Sequence, residues 1–345
     1  MQNTLFFINY KALQSILILI FTLTPISSFS HSGESHADEE INIYSGRKGK
    51  LIEPMLEKFQ KKTGIKVNLI TAKSDALIKR IESEGESSPA DLFITVDVGR
   101  LDRAKKMGLL QKVDSFSIIN KLPQYYIDKD REWIGISKRI RTLVISKNMK
   151  DRSELKNFED LAKKQWAGRI CVRSSNNIYN QSLLASIIAA NGELDAYKWA
   201  KSVRSNMARS PRGSDRDQAR AVASGLADVA IMNTYYLGVM ANSSDKKDQD
   251  VVKKIAVFFP NQKGRGTHIN VSGAGITKSS KNKEEALKFL EFLTNENSQK
   301  VFSSANHEYP LKINEHDSTI LKSWGQFKYD PLSLSVLGEK KYSSC

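Results

Sequence analysis

Cysteine is nearly absent from this 345-residue chain: only Cys171 and Cys345 occur. Two cysteines exclude a disulfide framework, and neither has the CxxC or Cys/His spacing of a zinc site or a thiol nucleophile. A single bridge between them stays open. Histidine is scarce too, with five residues. His31 and His36 lie on a polar stretch where two imidazoles make at most a weak metal site, and the lone His268 and His307 read as structural residues. No Ser/His/Asp order, supported pair of acids or dinucleotide fingerprint is visible. Gly264-Arg265-Gly266-Thr267 resembles a phosphate loop only superficially, because no Gly-Lys-Ser/Thr helix start follows. The chain is therefore expected not to be an enzyme.

Long apolar runs are also missing. The run Ala12 to Ile26 is shorter than the roughly 20 residues a bilayer span needs. Lys11 precedes it, and Ser28 and Ser30 suit a cleavage site, so residues 1–30 read as a signal peptide cut after Ser30, an uncleaved anchor being the alternative. The absence of a lipobox cysteine argues against a lipid anchor. Residues 31–40, HSGESHADEE, are polar and aperiodic and read as a flexible mature N-terminus.

No basic stripe with interleaved aromatics appears. Of residues 1–30 only Lys11 is charged, so 53 basic residues become 52 against 38 acidic ones, a net +14 after cleavage. Lys and Arg are spread among acids, and export removes the usual nucleic-acid partner. The excess reads as general surface charge.

What remains is a globular composition, 40% apolar and 26% charged, in a length that suits two compact lobes. Ile41 to Tyr44 alternates as a strand, Ser45-Gly46 turns, and a helix runs through Met55 and Phe59. The strand Lys66 to Ile70, a helix with Leu77, Ile78 and Ile81 on one face, and the apolar strand Asp91 to Val96 follow, which is a parallel α/β opening. Trp133 to Ser146 reads as one long strand with Arg139 and Arg141 in alternation. The pattern then restarts with the strand Arg169 to Val172, helices over Gln181–Asn191, Tyr197–Asn206 and Gln218–Ser224, and the buried strand Asp228 to Met232. Val257 to Phe259 and Val271 to Ile276 are late strands, the latter suited to return to the first lobe before the helix Lys283–Thr294. Leaving one lobe, building a second and returning creates two linkers, hence a hinge with a ligand crevice at the strand ends.

Two tyrosines follow a buried strand in Asn233-Thr234-Tyr235-Tyr236-Leu237-Gly238. A third, Tyr179, begins a helix, where backbone N–H groups favour an anion. Phenolate is a hard anionic oxygen donor suited to Fe(III). A tyrosine is also a common structural amphipath, with a buried ring and a wet hydroxyl, and periodicity alone does not separate the two roles.

The stretches Val172-Arg173-Ser174-Ser175-Asn176-Asn177-Ile178-Tyr179-Asn180-Gln181-Ser182, Ala230 to Gly238, and Val257 to His268 closely resemble the periplasmic ferric-iron-binding proteins of ABC importers, as do Ser87 to Asp91 and Thr95 to Asp97. The resemblance covers residues 41 to about 335. It implies an α/β periplasmic-binding fold of type II, with a hinge and an interlobe cleft. It also implies Fe(III) as ligand, with carbonate or another synergistic anion, and delivery to an inner-membrane ABC permease by a monomeric periplasmic protein. The metal ligands it implies are Tyr179, Tyr235 and Tyr236, with Arg139 as the family's arginine facing the anion; Lys48 and Arg47 are read as further residues that neutralise it. Lobe 1 is expected over 41–138 and 268–310, and lobe 2 over 139–267 and 311–345. One departure stands out: many members carry a His-Tyr pair after the first strand, where this chain has Lys48-Gly49. The alternative reading is a binding protein for a ferric chelate or a small anionic solute without direct metal ligation.

Overall fold

The computed structural model describes residues 39–311 and 318–339. The expected signal peptide, nearly all of the polar stretch 31–40, and Cys345 lie outside the described residues. Glu40, expected in that flexible stretch, instead opens the first strand, where it takes the register position opposite Lys66.

The chain begins with alternating strands and helices: β1 (Glu40–Ser45), α1 (Gly49–Thr63), β2 (Lys66–Thr71), α2 (Ser74–Glu84), β3 (Leu92–Val96) and α3 (Val98–Lys106). The strands β2, β1 and β3 pair in parallel, as the near-continuous apolar run of β3 foretells. The short β4 (Leu110–Gln111) and α4 (Phe116–Lys121) lead into β5 (Ile134–Ser146). Ile41, Ile43, Leu92 and Ile94 pack with Phe59, Phe289 and Phe302 in a first core.

Thirteen residues long and buried over all but its last, β5 is the axis of the molecule. Its first half pairs antiparallel with β9 (Ile269–Thr277), ending at Arg139 opposite Asn270 and Ile140 opposite Ile269. Its second half pairs with β7 (Val229–Asn233), starting at Arg141 opposite Asn233, and with β8 (Ile255–Phe258). The path β2-β1-β3-β9-β5-β7-β6, ending at β6 (Ile170–Cys171), is thus one sheet that changes cores along a single strand.

Around the second half lie α5 (Ile178–Asn191), α6 (Glu193–Ser205), α7 (Asp215–Ala223), α8 (Thr234–Ala241) and α9 (Lys246–Lys254). Leu143, Phe158, Trp166, Ile187 and Ile231 form a second core on one face, and Val144, Cys171, Val222 and Met232 a third on the other. Then β9 returns the chain to the first core, where α10 (Lys283–Thr294) and α11 (Glu296–Asn306) close it.

The C-terminal segment, expected with lobe 2, sends its apolar side chains elsewhere. Leu321 of α12 (Thr319–Ser323), and Leu334 and Leu337 of α13 (Leu334–Glu339), join the first core. Gly338 lets α13 approach α3: a Cβ there would stand 2.3 Å from that of Asp102. The same segment keeps a hold on the loop after β8, where Asp330 pairs with Arg265 at 2.7 Å and Phe327 stacks on Phe259 at 4.1 Å.

Candidate functional site

Side chains two apart on a strand share a face, so Arg139 and Arg141 point the same way at the place where β5 passes from β9 to β7. Lys138, the residue just before Arg139, points oppositely. It is fully buried, its ammonium donates to the Leu311 carbonyl at 2.8 Å and lies over the rings of Tyr126 and Tyr329, and burial lowers its pKa to about 6.

The three tyrosines all stand in the first turns of helices. Asn177 caps α5, its side chain accepting the Tyr179 backbone N–H at 3.1 Å. In α8, Tyr235 and Tyr236 begin a helix directly after β7, and their rings lie 4.2 Å apart. Positive partial charge at such N-termini favours an anionic oxygen. Arg139 draws the group together: its guanidinium donates to the Tyr179 hydroxyl at 3.0 Å and lies 4.5 Å from the centre of the Tyr235 ring. Tyr235 is a hydrogen-bonding neighbour of both Tyr179 and Tyr236.

The electrostatics divide the phenols. Burial resists ionisation of Tyr179, but the Arg139 charge and hydrogen bonds from Tyr235 and Arg139 outweigh it and hold this phenol below its ordinary range. Burial pushes Tyr235 well up despite Arg139, and raises Tyr236 with help from the charges of Tyr179 and Asp215. The arginine itself is raised: burial opposes its charge, yet Tyr179, Tyr235 and Glu308 more than compensate. The surroundings thus favour ionisation of Tyr179 over that of Tyr235 and Tyr236.

Residues not singled out from the sequence complete the setting. Asp215, fully buried at the start of α7, accepts from Arg141 at 2.8 Å, Arg173 at 3.2 Å and the Asn233 backbone at 3.0 Å. Arg141 and Arg173 in turn lie 6.0 and 5.9 Å from the centre of the Tyr179 ring. The alternation of Arg139 and Arg141 was a legible signal for the second arginine; nothing in the sequence pointed to Asp215. Glu308 is likewise buried, pairing with Arg47 at 3.0 Å and facing Arg139 at 3.4 Å.

That pairing places Arg47 behind Arg139 rather than among the phenols, with a second bond to the Ser272 hydroxyl at 2.7 Å. Lys48 is exposed at the start of α1, makes no side-chain cap, and has no contact with the tyrosines. Gly49 follows it beneath Glu53, whose carboxylate a Cβ would meet at 2.3 Å. The structure thus brings Tyr179, Tyr235, Tyr236 and Arg139 together, connects Arg47 to them through Glu308, and leaves Lys48 apart.

From the first core, Asp97 approaches the same place. It adopts a positive φ of 80°, caps α3, and receives hydrogen bonds from Ser182 of α5 at 2.8 and 2.9 Å and from Asn270 at 2.9 Å. Asp97, Arg139, Arg141, Tyr179, Asn233, His268 and Asn270 enclose about 10 Å³, the room of roughly one water. His268 is held neutral there, its pKa lowered to about 3 by burial and by the charges of Arg265 and Arg141. Among the described residues, no three His, Cys, Asp or Glu side chains gather as a metal site.

The chain is similar to known proteins over most of its length. The chain is 45% identical over 300 residues to iron uptake protein A1 of a Synechocystis strain, spanning 87% of this chain and 83% of that one. Among solved structures, the Trichodesmium IdiA/FutA protein in complex with iron and citrate ligands superposes with a TM-score of 0.84 at 48% identity, over 87% of this chain and 95% of that one. The ferric binding protein from Campylobacter jejuni follows with a TM-score of 0.82 at 46% identity and the same coverage. The two-lobed architecture expected from the sequence is that of these structures. A profile of bacterial extracellular solute-binding proteins matches residues 45–300, and the chain belongs to that family.

Proposed function

We propose that this protein captures ferric iron in the periplasm and delivers it to an inner-membrane ABC permease, with Tyr179, Tyr235 and Tyr236 as its ligands. The convergence of three phenols on one buried guanidinium carries the reading, and the iron-related names of its relatives support it. Three phenolates balance the charge of Fe(III). Arg47, Arg139, Arg141 and Arg173 outnumber the buried carboxylates around them, Asp97, Asp215 and Glu308, so positive charge remains for an added anion such as carbonate.

In this reading residues 1–30 are a cleaved signal peptide, and residues 41–138 with 268–310 close against 139–267 about the handover on β5. Asp97 reaching Ser182 is the contact that closure makes. Iron enters when the lobes part, displaces the phenolic protons and is enclosed as they meet. Solute binding and release is the whole of the proposed activity, without bond-making catalysis.

A second reading has its own observation. Lys48-Gly49 after β1 offer no metal ligand, and the Trichodesmium relative was solved in complex with iron and citrate ligands. A ferric chelate whose carboxylates face the arginines would fill the same space. Resonance Raman spectroscopy of the iron-loaded protein tests direct ligation. Tyrosinate modes that weaken in the Tyr235→Phe/Tyr236→Phe variant are expected; iron binding to the parent without such modes would overturn the first reading in favour of the second.

A further inference from the structure

Beyond Arg173 lies a second cavity that the iron reading does not use. It holds about 360 Å³, within the roughly 300–1,000 Å³ of small-molecule sites. Leu183 and Leu184 of α5, Trp199 and Val203 of α6, and Ile231 of β7 supply apolar wall. The Trp199 indole is fixed in place, its N–H donating to the Phe158 carbonyl at 2.8 Å.

The polar lining has one sign. Arg173 and Arg204 are the charged residues, with Ser175 and Asn180 as neutral hydrogen-bonding groups, and no carboxylate lines the cavity. Arg173 binds Asp215 through one nitrogen. Arg204 is exposed and makes no ion pair among the described residues. Guanidinium groups match carboxylates in geometry as well as charge, and a pocket with fixed aromatic and aliphatic walls favours an apolar body over a hydrated one.

We propose that this cavity binds a small carboxylate with an apolar or aromatic body, its carboxylate meeting Arg173 and Arg204 and its body lying against Leu183, Leu184, Trp199 and Val203. A free inorganic anion would leave the apolar wall wet, and a neutral aromatic would leave the guanidinium groups unmatched. Arg173 also borders the Tyr179 ring, so it belongs to both sites and is not the residue to alter first.

The test uses the iron-free mature protein with 4-fluorobenzoate as probe, followed by ¹⁹F NMR. Saturable binding is expected, at least about fivefold weaker in Arg204→Gln and abolished in Leu184→Trp, which fills the cavity; 4-fluorobenzyl alcohol should bind at least about fivefold more weakly than the acid. Thermal unfolding of both variants close to that of the parent shows that they fold. No saturation up to about 10 mM, the weak end of specific affinity, would overturn the proposal. So would undiminished binding in Leu184→Trp, or equal binding of the alcohol.

Discussion

The turns after β1 and after β7 are the same piece of architecture with opposite chemistry. In each, a buried strand ends and a helix begins within a few residues, presenting its N-terminus. After β7 the helix opens with Tyr235, which meets Arg139, and Tyr236 beside it. After β1 it opens beside the exposed Lys48, which meets none of the phenols. On the side of the first core stand instead the Arg47–Glu308 pair behind Arg139 and the Asp97 carboxylate that reaches Ser182. Similar strand-to-helix turns thus do not imply two half-sites, and in the proposed reading the donors come from one side.

The largest effect should come from breaking the richer turn. Tyr235→Phe/Tyr236→Phe is expected to weaken the visible ferric band strongly and iron binding by at least a hundredfold, about 2.7 kcal/mol, measured by competition with a chelator. Acid should act on the same groups. Protons compete with iron for the phenolates, so affinity falls as pH falls, about tenfold per pH unit for each phenol that regains its proton. Tyr179, held below the ordinary range by Arg139, should be the last to reprotonate. A chelator titration across pH gives the slope, and a pH-independent affinity would contradict phenolate ligation.

Next in size is the support beneath the phenols. Asp215→Ala leaves Arg141 and Arg173 without their shared carboxylate, and breaking a buried pair costs about 3–5 kcal/mol, which should appear as a lower chemical-denaturation midpoint. Ser182→Ala removes a hydroxyl from Asp97 and should cost about 1 kcal/mol. Small-angle scattering should show the iron-loaded variant to be more open than the parent. The smallest effect belongs to the poorer turn: Lys48→Ala should change iron affinity less than about twofold. Lys48→His/Gly49→Tyr sharpens the comparison, because the added donors should raise affinity and lessen any need for a second anion.

The fold was largely legible because its signals are periodic. Near-continuous apolar runs marked β3 and β7, and the alternation over 133–146 marked β5 with two arginines on one face. The C-terminal segment was less legible: which core receives Leu321, Leu334 and Leu337 depends on a close approach at Gly338 that no spacing announces. The tyrosines were found through resemblance, since a lone Tyr looks the same whether it packs or binds. Glu308 and Asp215 were invisible for a related reason. Their partners lie far along the chain, Arg47 261 residues away and Arg141 74 residues away, and a buried ion pair of that kind leaves no local pattern.

One measurement bears most directly on a one-sided tyrosine site: a visible absorption titration of the mature protein with ferric citrate at neutral pH, with and without bicarbonate. The account predicts a stoichiometric tyrosinate-to-iron band from Tyr179, Tyr235 and Tyr236, strengthened by bicarbonate because lobe 1 supplies no ligand. No band in either buffer would contradict it.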